Sequence, residues 1–84
     1  MEYQVLIKIY FPIIEESFET YIPTTKTVNY IVKLAQKAVI DNFNKNYQLQ
    51  PKAIVCNKLT GQIYERDKLV IDTDIRNGTK LIIL

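Results

Sequence analysis

The sequence predicts an α+β fold in which one long helix crosses a single mixed sheet, in the order β-β-α-β-β-β. Three observations predict it. Residues 3–11, YQVLIKIYF, alternate with a period of two. Residues 28–43 repeat apolar side chains at spacings of three and four. The segment TKLIIL, 79–84, is an apolar run behind a polar Asn77-Gly78 turn. Period two marks a half-buried strand, and period 3.6 marks an amphipathic helix.

The elements follow in order. In the first strand Tyr3, Val5, Ile7, Ile9 and Phe11 share one side, and Gln4, Leu6, Lys8 and Tyr10 share the other. Pro12 ends the strand because it has no N–H to give to a ladder. After the loop PIIEE, the stretch SFETYI alternates again. Phe18, Thr20 and Ile22 face one way, and Ser17, Glu19 and Tyr21 the other. Two strands joined by a short loop predict an antiparallel hairpin, which Pro23 closes.

Thr27 is placed to N-cap the helix through its hydroxyl. Val28, Ile31, Val32, Ala35, Ala38 and Val39 form one apolar stripe, with Lys33, Gln36 and Lys37 expected on the far side. Tyr30 and Ile40 are expected on the helix's outer face. The helix fades near Asn42 to Asn44, and NKNYQLQP reads as a loop. KAIVCN is a short strand, KLTG a turn at Gly61, and QIYE a brief fourth strand. RDKLVIDTDI is a connection with one helical turn. The terminal strand reaches the sheet centre beside the first. This architecture is the β-grasp.

The chain has 84 residues, room for one domain, so residues 1–84 are expected to be that single domain. Apolar residues make up 48%, which is enough for a core and too many for a disordered chain. The net charge is only +2 and the lysines are scattered singly, which argues against nucleic acid as a partner. One cysteine, Cys56, excludes an internal disulfide and fits a reducing compartment. The N-terminus alternates and begins with an acid, unlike a signal peptide. No stretch approaches the ~20 apolar residues that span a bilayer. The expected location is the cytoplasm, with no membrane insertion.

Chemistry-bearing patterns are sparse. There is no histidine, so the usual neutral-pH acid–base group and zinc ligand is missing and Cys56 has no dyad partner. Asp72 and Asp74 form a D-x-D, but no further acids follow at the spacing of a calcium loop. Turn formation is the better reading of that pair. No glycine-rich phosphate loop exists. Neither an enzyme nor a cofactor is expected.

Two segments carry a family resemblance. DIRNGTKLIIL, 74–84, resembles the final turn and strand of ubiquitin-like domains. FETYIPTTKTVNYIVKLAQ, 18–36, resembles without gaps the hairpin-to-helix segment of the YukD/EsaB family, and AIVCNK, 53–58, resembles that family's third strand. The first loop and the 41–51 loop are individual to this sequence. Members of that family are ubiquitin-like accessory proteins of type VII (WXG100) secretion systems. The resemblance implies a cytoplasmic, non-conjugating adaptor or regulator that works by protein contact, with secretion-machinery components as partners.

The alternative is a ubiquitin-like modifier or sulfur carrier without its C-terminal Gly-Gly. Those proteins react through a flexible glycine carboxylate, whereas this chain ends in IIL, so conjugation is not expected. Site residues are expected on the open face of the sheet. Strand parity turns Leu6 and Ile82 outward and leaves AIVC undecided. The resemblance implies that Ala53 and Val55 point in and that Ile54 points out with Cys56. Leu6, Ile54 and Ile82 are then expected to form a protein-binding patch, with Ile13 and Ile14 at its edge. Ordinary scattered surface residues, or a weak homodimer through the same face, are the competing readings.

Overall fold

The structure, a computed structural model, describes residues 3–84. Met1 and Glu2, which enter the reading of the N-terminus as no signal peptide, lie outside the described residues. Strand β1 spans Gln4–Phe11 and β2 spans Glu16–Pro23, joined by a single 3-10 turn, Pro12–Ile14. Helix α1 covers Val28–Asn42, β3 covers Val55–Asn57 and β4 covers Lys80–Ile83. The sheet order is β2-β1-β4-β3. β1 and β4 pair in parallel at the centre, and both outer pairs are antiparallel. No helix among the described residues is long and apolar enough to cross a membrane.

The strand parities come out as expected within the strands; Tyr3, expected to share the side of Val5, lies ahead of β1 and is 72% exposed. Val5, Ile7, Ile9 and Phe11 of β1, Ile22 of β2, Ala53 and Val55, and Leu81 and Ile83 of β4 are all buried. Val28, Ile31, Val32, Ala35 and Val39 of α1 meet them. The matched periods of 3.6 and 2 bring these two apolar surfaces together. Thr27 caps α1, its Oγ accepting from the Tyr30 N–H at 3.2 Å.

The connection 65–75 wraps the start of the helix. The Val28 and Asn29 N–H groups donate to the carbonyls of Lys68 and Arg66, at 2.9 and 2.8 Å. Val70, in the short 3-10 turn Val70–Asp72, and Ile75 are fully buried beneath this wrap. The expected helical turn in RDKLVIDTDI is this one. Arg66 staples the region: its guanidinium donates to Asn29 Oδ1 and to the carbonyls of Pro51 and Ala53.

Three expectations fail. QIYE is not a strand: only an isolated bridge, Cys56 to Ile63, forms there. Asn57 Oδ1 accepts from the N–H groups of Leu59 and Thr60, Gly61 takes a φ of +77°, and Tyr64 then turns into the core. The chain therefore leaves the ladder after one pair, and the sheet has four strands. Gln36 does not face solvent. It is 4% exposed, because it lies beside Val32 and Val39 on the wheel and the 48–51 loop folds over it. Gln36 Nε2 donates to the Gln50 carbonyl and Gln36 Oε1 accepts from the Gln50 N–H, both at 3.1 Å. Tyr30 is half-buried against the core, with the Lys26 ammonium 5.5 Å from its ring centroid.

The loop after α1 is anchored by aromatic rings. Phe11 stacks on Phe18 at 6.3 Å, Phe18 on Phe43 at 5.8 Å, and Tyr47 meets Phe11 edge-on at 5.9 Å. These contacts close one end of the hairpin against the loop.

Candidate functional site

The helix covers one face of the sheet and leaves the other open. Register decides what that open face presents. Its side chains form rows across the strands, two residues apart along each strand, or about 6.6–6.8 Å.

The first row is Leu6 with its partner Tyr21. It sits at the Asn77-Gly78 turn, where the Leu6 N–H donates to Asn77 Oδ1 at 2.7 Å and the Gly78 N–H donates to the Leu6 carbonyl at 2.8 Å. This side chain–backbone link extends the β1–β4 pairing past the strand end. Gly78 supplies the left-handed φ of +87° that the turn requires. The second row is Glu19, Lys8 and Lys80. The third is Ser17, Tyr10, Ile82 and Cys56. The fourth is Ile54 beside Leu84, whose backbones exchange two hydrogen bonds of 2.9 Å.

The expected site residues fall into this frame unevenly. Ile82 and Ile54 occupy adjacent rows on neighbouring strands. Ile82 is half-buried between Tyr10 and Cys56, and Ile54 is exposed. Ile13, 80% exposed on the hairpin turn, lines with Leu84 a hollow of about 540 Å³ that the core-side residues Phe11, Ala53 and Ile83 and the loop residues Tyr47 and Gln50 complete, so it opens toward the helix side of the sheet end and not on the open face. Ile14 turns the other way and packs against the core. Leu6 stands at the opposite end, separated from Ile82 by the Lys8–Lys80 row. The five residues therefore do not form one apolar patch. Ile82 and Ile54 with Leu84 form a band at one end, Leu6 with Tyr21 forms a second at the other, and Ile13 and Ile14 belong to neither.

Tyr10, Tyr21 and the lysines on this face carry part of its surface and were not among the expected site residues. Their parity was readable from the alternation of each strand. Their grouping depends on register across strands distant in sequence, which no single strand encodes.

The remaining chemistry is structural. The Tyr64 phenol donates to Asp74 Oδ1 at 2.6 Å and accepts from Asn57 Nδ2 at 3.1 Å. Its pKa is raised, by burial first and then by the Asp74 hydrogen bond. Asp74 thus ties the start of the last turn to β3. Among the described residues no cluster of three or more metal-ligating side chains occurs. A second hollow, about 730 Å³, lies between α1 and the 49–51 loop, floored by Val32, Ile40, Leu49 and Pro51.

No family model matches the sequence, and no curated protein matches it. Solved structures do match its fold. A ubiquitin from Caldiarchaeum subterraneum superposes with a TM-score of 0.73 at 13% identity, over 96% of this chain and 91% of that one. A chain from a study of molecular mimicry of SUMO in DNA repair gives 0.78 at 12% identity, over 96% and 90%. A chain of the MycP5-free ESX-5 inner membrane complex gives 0.70 at 10% identity; the match covers 96% of this chain and 20% of that one. The described residues are a ubiquitin-like β-grasp domain, with one helix on one face of a mixed sheet and the other face uncovered.

Proposed function

We propose that the chain is a non-enzymatic ubiquitin-like interaction module, a cytoplasmic accessory or regulatory factor of a bacterial type VII (WXG100) secretion system. The observation that carries the interaction reading is the open face. Its exposed and half-buried apolar residues Ile82, Ile54 and Leu84 lie in adjacent rows at one end, and among the described residues no helix or strand packs over that face. The secretion assignment rests on two supports: the resemblance of segments 18–36 and 53–58 to the YukD/EsaB family, and the fold shared with a chain of the ESX-5 inner membrane complex. Contact rather than catalysis fits a sequence without histidine and with a single cysteine.

The test is capture of secretion-machinery proteins from the native organism on immobilised protein. Binding energy concentrates in a few central, desolvated residues, and a charge buried there unpaired is costly. Ile54→Asp is expected to abolish capture while the melting temperature stays near wild type, because Ile54 is 43% exposed in the free protein. Lys33→Ala, on the exposed side of the helix, is the control. Retained capture by a folded Ile54→Asp variant would move the site off this face.

A further inference from the structure

A row with three lysines and one glutamate at its edge divides the open face. Lys8 and Lys80 are register partners across β1 and β4, and Lys8 pairs with Glu19 on the other side. Lys58 continues the row just past β3, its N–H donating to the Lys80 carbonyl at 2.8 Å. Three lysines thus stand side by side across β1, β4 and the end of β3, with strands about 4.8 Å apart. All three are exposed, and with Tyr10 and Ser17 they line a hollow of about 320 Å³. Among the described residues the ion pair is Lys37–Asp41, on the helix; Glu19 stands beside Lys8 without reaching ion-pair distance, and Lys58 and Lys80 have no carboxylate as a register partner. Like charges directly opposite on neighbouring strands destabilise a sheet. The Lys58 ammonium is also held 5.3 Å from the Tyr10 ring centroid, over the hollow rather than away from it.

We propose that this row receives a carboxylate from a protein partner, on a segment that presents one acidic residue between two apolar ones. The flanking rows supply the apolar contacts. Leu6 and Tyr21 lie on one side and Ile82 and Cys56 on the other. The row spacing, about 6.6–6.8 Å, equals the i, i+2 spacing of an extended chain. An apolar–acidic–apolar segment therefore matches the face band for band. Nucleic acid fits less well. Glu19 closes the row with a negative charge, and the Tyr10 ring is already covered by Lys58 instead of being free to stack a base. The inference rests on the reading of this face as a protein-binding surface and adds the chemistry of what binds.

The probe is a short peptide, Gly-Leu-Ser-Glu-Ser-Leu-Gly, titrated into isotope-labelled protein and followed by amide chemical shifts. Shifts are expected at Lys8, Tyr10, Lys58, Lys80 and Ile82, weakening as salt rises. Replacing the peptide's Glu by Gln, or making the Lys80→Glu variant, should weaken binding at least tenfold. A Lys-containing peptide should restore binding to that variant. Lys80→Glu should also raise the melting temperature of the free protein, since it relieves the row. Equal binding of the Gln peptide, a lowered melting temperature in the variant, or tighter binding of an oligothymidylate to the same lysines would each overturn the proposal. Secretion-machinery capture that depends on Ile54 but is indifferent to Lys80→Glu would overturn it too, while leaving the protein-binding reading intact.

Discussion

The Tyr64 phenol sits between a carboxylate and an amide, donating to Asp74 and accepting from Asn57. This gives one member of the D-x-D pair a structural role: Asp74 is an anchor for a buried tyrosine. Tyr64→Phe keeps the ring and removes both bonds, so unfolding measurements should show a loss of about 1–2 kcal/mol. The pH response has a definite sign. The folded-state pKa of Tyr64 is raised, so its contribution is fully present below the unfolded value near 10 and is lost as pH rises through the higher folded value. Burial raises Tyr47 in the same direction. Denaturation curves should therefore weaken above about pH 10, and less steeply in Tyr64→Phe. An identical alkaline slope in variant and wild type would remove Tyr64 from this account.

At the scale of elements, helix and sheet hold together through facing stripes. Ile31 on α1 and Leu81 on β4 are fully buried. Truncating either to Ala should cost about 2–5 kcal/mol in thermal or denaturant unfolding, a large part of the stability of a domain this small. Those positions were legible in the sequence, because Val5, Ile7, Ile31, Ala35, Leu81 and Ile83 all follow the period of their own element. Gln36 was not legible. Its polarity argued for solvent, whereas its burial comes from a loop fourteen residues on, whose backbone it holds with two bonds. Gln36→Ala should cost about 1 kcal/mol per lost bond and should speed hydrogen exchange at the Gln50 amide more than at the β1 amides. The expected fourth strand fails to form for a related reason. Its residues have strand propensity, but the Asn57 side chain and Gly61 tighten the turn before it, and Tyr64 is drawn into the core.

Across the whole molecule, period-two patterning decides which face is core, and register decides what the other face is. The sequence was sufficient for the first. Each strand's outward residues were readable, including Leu6, Ile82 and, through the family resemblance, Ile54. It was insufficient for the second, because Lys8, Lys58 and Lys80 lie far apart in the chain and only the β2-β1-β4-β3 order brings them into line. The lysines that looked scattered form a row, and the apolar residues that looked like one patch form two bands with that row between them. The central claim is that partners engage this open face. The most direct measurement is an amide chemical-shift map of the labelled protein with a partner protein captured from the native organism. The account predicts perturbations along Leu6–Tyr10, Ile54–Lys58 and Lys80–Leu84, with the helix unaffected. Perturbations centred instead on Val32, Gln36, Ile40 and Leu49, around the hollow beside α1, would contradict it.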